Sequence, residues 1–512
     1  MSNQSFALLA LKGRQRTVDL SAYQRWISIR DNIVRSRMVV QSLLQAKMLT
    51  KDTTLLVVGA GAAGASAAMA AAAKKVPTTL VDANLLPFST QTACDTRYIA
   101  PCEYDWPHLN WNWEQYPSDF FHVAGYEWLE WAHFSQQKSL WRLDCLHMLG
   151  TKTASAHAEE MEIQLEKFIQ RHPNGKNLHY HGNTHLTHTD WNRKLRKHEV
   201  TFDSPNAYDP ALPALSQRFS KENLALRKGK FDFLIFATGY GFEATTWNTA
   251  INSPYPVPQD LSKPFWSNDT LQDKFLGFDS APSVLIIGNG DGALQDFWRA
   301  LVVPSAARTA SEVLAVLTTE IDSEPDGART LEAMHRKLSL AEDQAVRAQY
   351  WHSLPNDRAR IYEALDRVYF DAMSELWQKF PDRMAKILHG LLRDDAPKLI
   401  TLVAKTRVSH KVYGLNRFIF HLLNSRVEKF SPARVKLIHD EAATLSAMTN
   451  GGRPFRLVLS PAGKTRHQKA DDEYDLVIVR TGPKNAASPF ETPKSIYRQA
   501  LGWVPAPYTS IS

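Results

Sequence analysis

A short apolar run, Leu55-Leu56-Val57-Val58, leads directly into Gly59-Ala60-Gly61-Ala62-Ala63-Gly64 and then into an Ala-rich stretch ending at Lys74-Lys75. The β-branched residues before the glycines predict a buried parallel strand, and the alanines after them predict a helix. In a strand–turn–helix of this kind the first Gly permits the tight turn. The second lets a pyrophosphate approach the backbone, and the third lets helix and strand pack closely. The helix N-terminus then offers unpaired N–H groups and the positive end of its dipole. Thr78-Thr79-Leu80-Val81 predicts the next strand, closed by Asp82, 23 residues after Gly59, where a carboxylate accepts ribose hydroxyls. A Gly-rich turn beside an Ala helix is the bland alternative, but strand, helix and acid together favour a dinucleotide. The same reading removes a candidate membrane span: Leu55–Ala73 carries no charge over 19 residues, yet its Gly and Ala make it weakly hydrophobic.

The pattern occurs twice. Val284-Leu285-Ile286-Ile287 enters Gly288-Asn289-Gly290-Asp291-Gly292-Ala293, again a strand running into glycines. Phe231-Asp232-Phe233-Leu234-Ile235-Phe236-Ala237-Thr238-Gly239 matches Tyr474-Asp475-Leu476-Val477-Ile478-Val479-Arg480-Thr481-Gly482 as aromatic, Asp, four apolar residues, a spacer and Thr-Gly. Gly59 precedes Gly239 by 180 residues and Gly288 precedes Gly482 by 194, so each half opens with a phosphate-binding turn and closes with a buried strand. Short alternating segments before each closing strand, within Asn177–Asp203 and within Arg456–Lys469, predict hairpin strands, Leu178–His181 among them. His179, His181, His185 and His188 lack a carboxylate or cysteine partner in the pattern and are expected to be solvated strand residues, with no metal site.

Together these features resemble the large superfamily of flavoproteins with two dinucleotide-binding domains, over roughly residues 52–300 and 397–485. Asp232-x3-Phe236-Ala237-Thr238-Gly239-Tyr240 is similar to a signature of N-hydroxylating monooxygenases, while Gly288–Ala293 looks like the corresponding turn of pyridine-nucleotide reductases. The resemblance implies an α/β protein with two Rossmann-like units, each a doubly wound parallel sheet with β-hairpin insertions, while apolar spacing from about Ser305 to Asp395 predicts a helical insertion in the second unit that departs from the family's ordinary layout. The implied division is a helical lead-in at 1–51, an FAD-binding unit at 52–245, and an NAD(P)-like unit at 246–304 and 397–485. The helical insertion takes 305–396 and a tail takes 486–512. FAD is implied on Gly59, Gly61, Ala62, Ala63, Gly64, Asp82 and Ala83, with Ala237, Thr238 and Gly239 close to the cofactor. NADP or NAD is implied on Gly288, Gly290, Asp291, Gly292, Thr481 and Gly482. The function implied is an FAD-dependent oxidoreductase linked to NAD(P)H, a monooxygenase or a reductase acting on a small organic substrate. Two alternatives stay open: a flavin oxidase or dehydrogenase reduced by its own substrate, and a nucleotide-binding regulatory protein without turnover.

The stretch after Asp82 holds the candidates for chemistry. In resembling proteins it folds back toward the isoalloxazine ring, which needs flat apolar packing and a positive charge or donor at its pyrimidine end. Arg97, Tyr98 and Trp106 suit that in type; a buried aromatic loop with Arg97 paired to Asp95 or Glu103 is the equal alternative. His108 and Tyr240, with Arg97, are the catalytic candidates. Leu399–Ala404 predicts the second strand of the second unit, after which Lys405 and Arg407 sit where an NADP 2′-phosphate is read, unless they form a solvated basic turn.

Composition excludes more than it selects. A net charge of +7 with 22% charged and 44% hydrophobic residues fits a globular chain, and phosphate-bearing cofactors suit that charge without nucleic acid. Three cysteines, Cys94, Cys102 and Cys145, form no C-x-x-C, which argues against a dithiol relay and for a reducing, cytoplasmic compartment. Neither a membrane nor a nucleic-acid partner is expected. The long insertion is a candidate substrate lid or oligomer interface, or the mark of a second unit that no longer binds NAD(P)H.

Overall fold

The structure is a computed structural model that describes residues 11–12, 16–20, 28–100, 103, 106–107, 115–116, 146–171, 177–203, 226–239, 264–272, 281–351, 355–404, 412–424, 427–430, 433–439, 444–447, 455–459 and 473–481. The predicted opening strand is Leu55–Val58, all four side chains buried, and the alanine run is the helix Ala62–Ala73. The uncharged stretch is thus a strand, a turn and a three-turn helix. Among the described residues no helix is long and apolar enough to cross a membrane.

Leu55–Val58 pairs in parallel with Thr78–Val81 on one side and Phe233–Phe236 on the other; Thr78–Val81 pairs in parallel with Leu178–His181. In the second unit Ser283–Ile287 pairs in parallel with Leu399–Ala404 and Leu476–Val479, and Leu399–Ala404 with Arg434–His439. Both sheets therefore run third, second, first, last strand. Leu399–Ala404 takes the second-strand place that the sequence predicts for it. Leu178–His181 differs from its predicted role: it is the third parallel strand, because its alternation buries Leu178 and Tyr180 against the helical face. The antiparallel strands are His185–Asn192, Lys197–Asp203 and Lys228–Phe231 in the first unit. Thr444–Ala447, Phe455–Val458 and Glu473–Tyr474 form their counterpart in the second.

The unbroken apolar strands follow from this layering, since a parallel strand is covered on both faces. Leu55 and Val57 enter a core with the helices, while Leu56 and Val58 meet Val200, Phe202 and Phe231 of the antiparallel sheet. Val284 and Ile286 likewise join the helices, and Leu285 and Ile287 join Phe455 and Leu457.

The N-terminal stretch contributes more than the predicted helix. Ile29–Gln45 does pack on Ala62–Ala73, where small alanines admit Val39, Val40 and Leu43. In addition, Thr17–Asp19 extends the first sheet in parallel beside Phe233–Phe236, and Leu11–Lys12 pairs antiparallel with it. Helices Ala310–Asp322, Gly327–Trp351, Pro355–Lys379 and Pro381–Leu391 make up the insertion. Pro381 stands at the start of its helix, where a missing N–H costs nothing. The insertion leaves and returns at one point: Val303 N–H donates to Leu391 and Arg393 N–H to Leu301. Its Leu317 and Tyr369 share a core with Phe297 and Phe418 of the second unit.

Candidate dinucleotide-binding site

The two glycine turns are built alike because the register is alike. Phe236 lies beside Val58 and Val479 beside Ile287, so the next residue of each closing strand meets the first glycine of its turn. Ala237 N–H donates to Val58 O, and Arg480 N–H to Ile287 O, each at 2.7 Å. Gly59 has φ +100° and Gly288 φ +129°, values that L side chains rarely adopt. A Cβ on Gly59 would lie 2.3 Å from the Ala237 carbonyl oxygen, and one on Gly288 2.1 Å from that of Arg480. Both turns then open a helix at an extended glycine without a side-chain cap, Gly61 (φ −73°, ψ −173°) and Gly290 (φ −85°, ψ −177°).

The motif aspartates before the closing strands anchor them. Asp232 Oδ2 accepts from Thr54 N–H and Thr54 Oγ1, both at 2.9 Å, and Asp475 Oδ2 accepts from Ser283 N–H at 2.7 Å. Each carboxylate thus ties its closing strand to the start of the opening strand.

In the first turn a Cβ on Gly61 would meet nothing within 4 Å, whereas one on Gly64 would sit 1.7 Å from Gly59 O. Gly64 brings helix and strand together; Gly61 leaves a face into which a phosphate can settle. Asp82 Oδ2 accepts Ala60 N–H at 2.6 Å and Oδ1 accepts Asn84 N–H at 2.7 Å. Burial raises the Asp82 carboxyl above its ordinary value, against the lowering effect of those two N–H groups. Ala83 beside it is exposed, as are Thr238 and Gly239 across the turn. Phe88 N–H donates to Ala60 O at 3.1 Å, so the loop after Asp82 begins by closing over the turn.

The second turn is more enclosed. Gly290 is open, but a Cβ on Gly292 would lie 3.2 Å from the Phe265 ring and 3.5 Å from Arg480 Cδ. Asp291, in the first turn of its helix, accepts from Tyr413 N–H and Asn416 Nδ2, each at 2.9 Å. Thr481 is exposed at the closing edge.

The contacts of Arg97, Tyr98 and Trp106 run to the second unit and the insertion. Arg97 binds Asp296 Oδ1 and Asp269 Oδ2, each at 2.8 Å, under the Phe265 ring at 4.0 Å. Neither expected partner, Asp95 or Glu103, holds it; the buried carboxylates outcompete them. Tyr98 OH accepts from Arg308 Nη1 at 2.8 Å. The Trp106 ring packs against Phe418 at 4.9 Å and stacks on His335 at 5.9 Å, deep in the second core. Glu103 is buried beside Asp291, and backbone hydrogen bonds link it to Ala310 and Ala100; burial, then Asp291, pushes its carboxyl up to about 8.

Sequence reasoning missed the group that Arg97 joins. Asp296, Arg299 and Arg480 are buried together with it, and Asp269 closes the set. The available signal was Asp296 and Arg299, three apart on a helix whose neighbours Ala293, Phe297 and Ala300 all face the core. His108, Tyr240, Lys405, Arg407, Gly482, Cys102 and Cys145 lie outside the described residues. Cys94 is buried and free. Among the described residues no group of three or more His, Cys, Asp or Glu could hold a metal ion.

Strand order, register and turns decide the architecture. The chain carries two Rossmann-like units. No protein-family model matches it, and neither does any curated protein. Among solved structures it is similar to bacillithiol disulfide reductase from Staphylococcus aureus, with TM-score 0.37 and 9% identity over 84% of this chain and 76% of that one. It is also similar to OTEMO in complex with FAD and NADP (TM-score 0.34, 12% identity, 85% and 71% covered). A third is a cyclohexanone monooxygenase mutant from Rhodococcus sp. Phi1 bound to NADP+ (TM-score 0.33, 9% identity, 84% and 72% covered). Likeness at this level leaves the argument with the geometry of the two turns.

Proposed function

We propose that the protein is an FAD-dependent oxidoreductase whose first unit holds the flavin nucleotide and whose second takes NAD(P)H. The observation that carries this reading is the first turn. Gly59 and Gly64 are filled by their own backbone, while Gly61 faces open space at an uncapped helix N-terminus, with the Asp82 carboxylate fixed at the ribose position. Those residues fit a dinucleotide: the helix N–H groups would bind the pyrophosphate, and Asp82, oriented by Ala60, would receive ribose hydroxyls. FAD would supply the hydride acceptance that no side chain offers. The repeat of the same turn at Gly288–Gly292 supports a second nucleotide. A small organic substrate and a monooxygenase outcome belong to the same proposal, as do a cytoplasmic setting and an oligomer formed through the insertion.

One observation favours a second reading, a flavin oxidase or dehydrogenase reduced by its own substrate. Asp291 places a carboxylate at the helix terminus of the second turn, where it opposes a phosphate. The absorption spectrum of the purified chain, titrated anaerobically with NADPH and then NADH, separates the cases. A flavin band that bleaches with either supports the proposal, and a band that persists favours the second reading. Colourless protein that takes up no FAD on reconstitution removes both.

A further inference from the structure

Five charged side chains converge between the two units. Asp296, fully buried, receives Arg97 at 2.8 Å and Arg299 at 2.9 Å on Oδ1, and Arg480 Nε at 2.7 Å on Oδ2. Asp269 receives Arg97 and Arg299, each at 2.8 Å. Burial alone would raise the Asp296 carboxyl, but the three guanidiniums outweigh it and hold it far below the usual carboxylate range. The members come from four parts of the chain. Arg97 lies on the loop that starts by closing over the first turn, and Asp269 on the segment joining the units. Asp296 and Arg299 lie on the helix of the second turn, and the backbone carbonyl of Arg480 supports Gly288. Beside Asp269, Trp266 packs into the first core and Leu271 into the second.

We propose that Asp296 is a positioning residue: it fixes the two nucleotide-binding units in one relative orientation by binding Arg97 of the first and Arg480 of the second on one carboxylate. A buried charge left without its partner is strongly unfavourable, so the arrangement is all-or-none rather than graded. The two turns are accordingly held at one separation, and the units do not rotate past each other during turnover. The inference rests on the two-unit fold; the oxidoreductase reading enters only its kinetic arm.

The test uses the full chain and two variants. Arg97→Met keeps the aliphatic volume, leaves two arginines on two aspartates, and removes the one side chain that the first unit puts on Asp296, while Arg299 Nη2 stays on Thr96 O at 3.1 Å. Asp296→Asn removes the shared negative charge and one of its two acceptor oxygens and serves as the stronger lesion; if it does not fold, Arg97→Met carries the test. The wild-type chain is expected to melt in a single calorimetric transition. Arg97→Met is expected to split it in two and to enlarge the radius of gyration by about 2 Å, on the order of a tenth of that of a compact chain this long. Flavin content should not change, and flavin reduction by NAD(P)H should slow tenfold or more. A single transition shifted downward at unchanged radius would mean ordinary core packing and would overturn the proposal. Should the wild-type flavin not be reduced by NAD(P)H, the cofactor reading fails, while scattering and calorimetry still decide the orientation.

Discussion

Gly59 and Gly61 stand two positions apart in one turn and are glycine for opposite reasons. At Gly59 both the +100° φ and the Ala237 carbonyl exclude a side chain, so Gly59→Ala strains the fold itself. At Gly61 the backbone suits any residue and the Cβ direction is empty, so under the proposed function the requirement would come from the pyrophosphate. Gly61→Val is therefore expected to fold with the thermal stability of flavin-free wild type and to lose its flavin. Retained cofactor at full stoichiometry would displace the pyrophosphate from this turn. Glu103 gives a second residue-scale expectation. Its carboxyl, raised to about 8 by burial and then by Asp291, keeps its proton in the folded chain at pH values where an unfolded glutamate (about 4.3) has lost it. Folded protein then binds more protons than unfolded between those two values, so stability falls as pH rises through that window and levels off above it. Glu103→Gln should remove this slope and stabilise the protein at pH 9, by at most about 4 kcal/mol, with little change at pH 5. Parallel melting curves for variant and wild type at both pH values would refute the protonated state.

Elements in this chain are specified by what covers their two faces. Leu55–Val58 and Ser283–Ile287 have no polar alternation because helices take one face and a three-stranded antiparallel sheet takes the other. The Asp that precedes each closing strand sets its position: Asp232 holds Thr54 N–H and Asp475 holds Ser283 N–H, across 178 and 192 residues of chain. Asp232→Ala leaves the Thr54 N–H without its acceptor and should cost about 1–3 kcal/mol in urea unfolding. Asp232→Asn, which keeps an acceptor oxygen, should recover most of that loss. An unchanged midpoint for the alanine variant would show that the strand is aligned by apolar packing alone. The insertion is tolerated between the second unit's first helix and second strand because its entry and exit meet at the Val302–Leu392 bridge, adding no gap to the sheet.

For the whole molecule, the decisive contacts are those that join one unit to the other. By residue type, Arg97, Tyr98 and Trp106 suit a flavin-lining loop and a packed aromatic loop equally. The tertiary structure spends them between the units, on Asp296, Arg308 and Phe418. Sequence could not show this, since the partners lie about 200 residues or more downstream and carry no periodicity that points back. It did contain both glycine turns, the two closing strands marked by the doubled Thr-Gly endings, and the place of Asp82, because each of those depends on local backbone geometry. It missed the third-strand role of Leu178–His181 and the sheet edge built by Thr17–Asp19, which depend on which neighbour the strand finds. The sequence by itself determined two strand–glycine–helix turns, since a glycine without a Cβ is required wherever backbone must meet backbone. Only the tertiary structure decided how those turns face each other, because that orientation rests on buried charges whose pairing exists nowhere but in the folded chain.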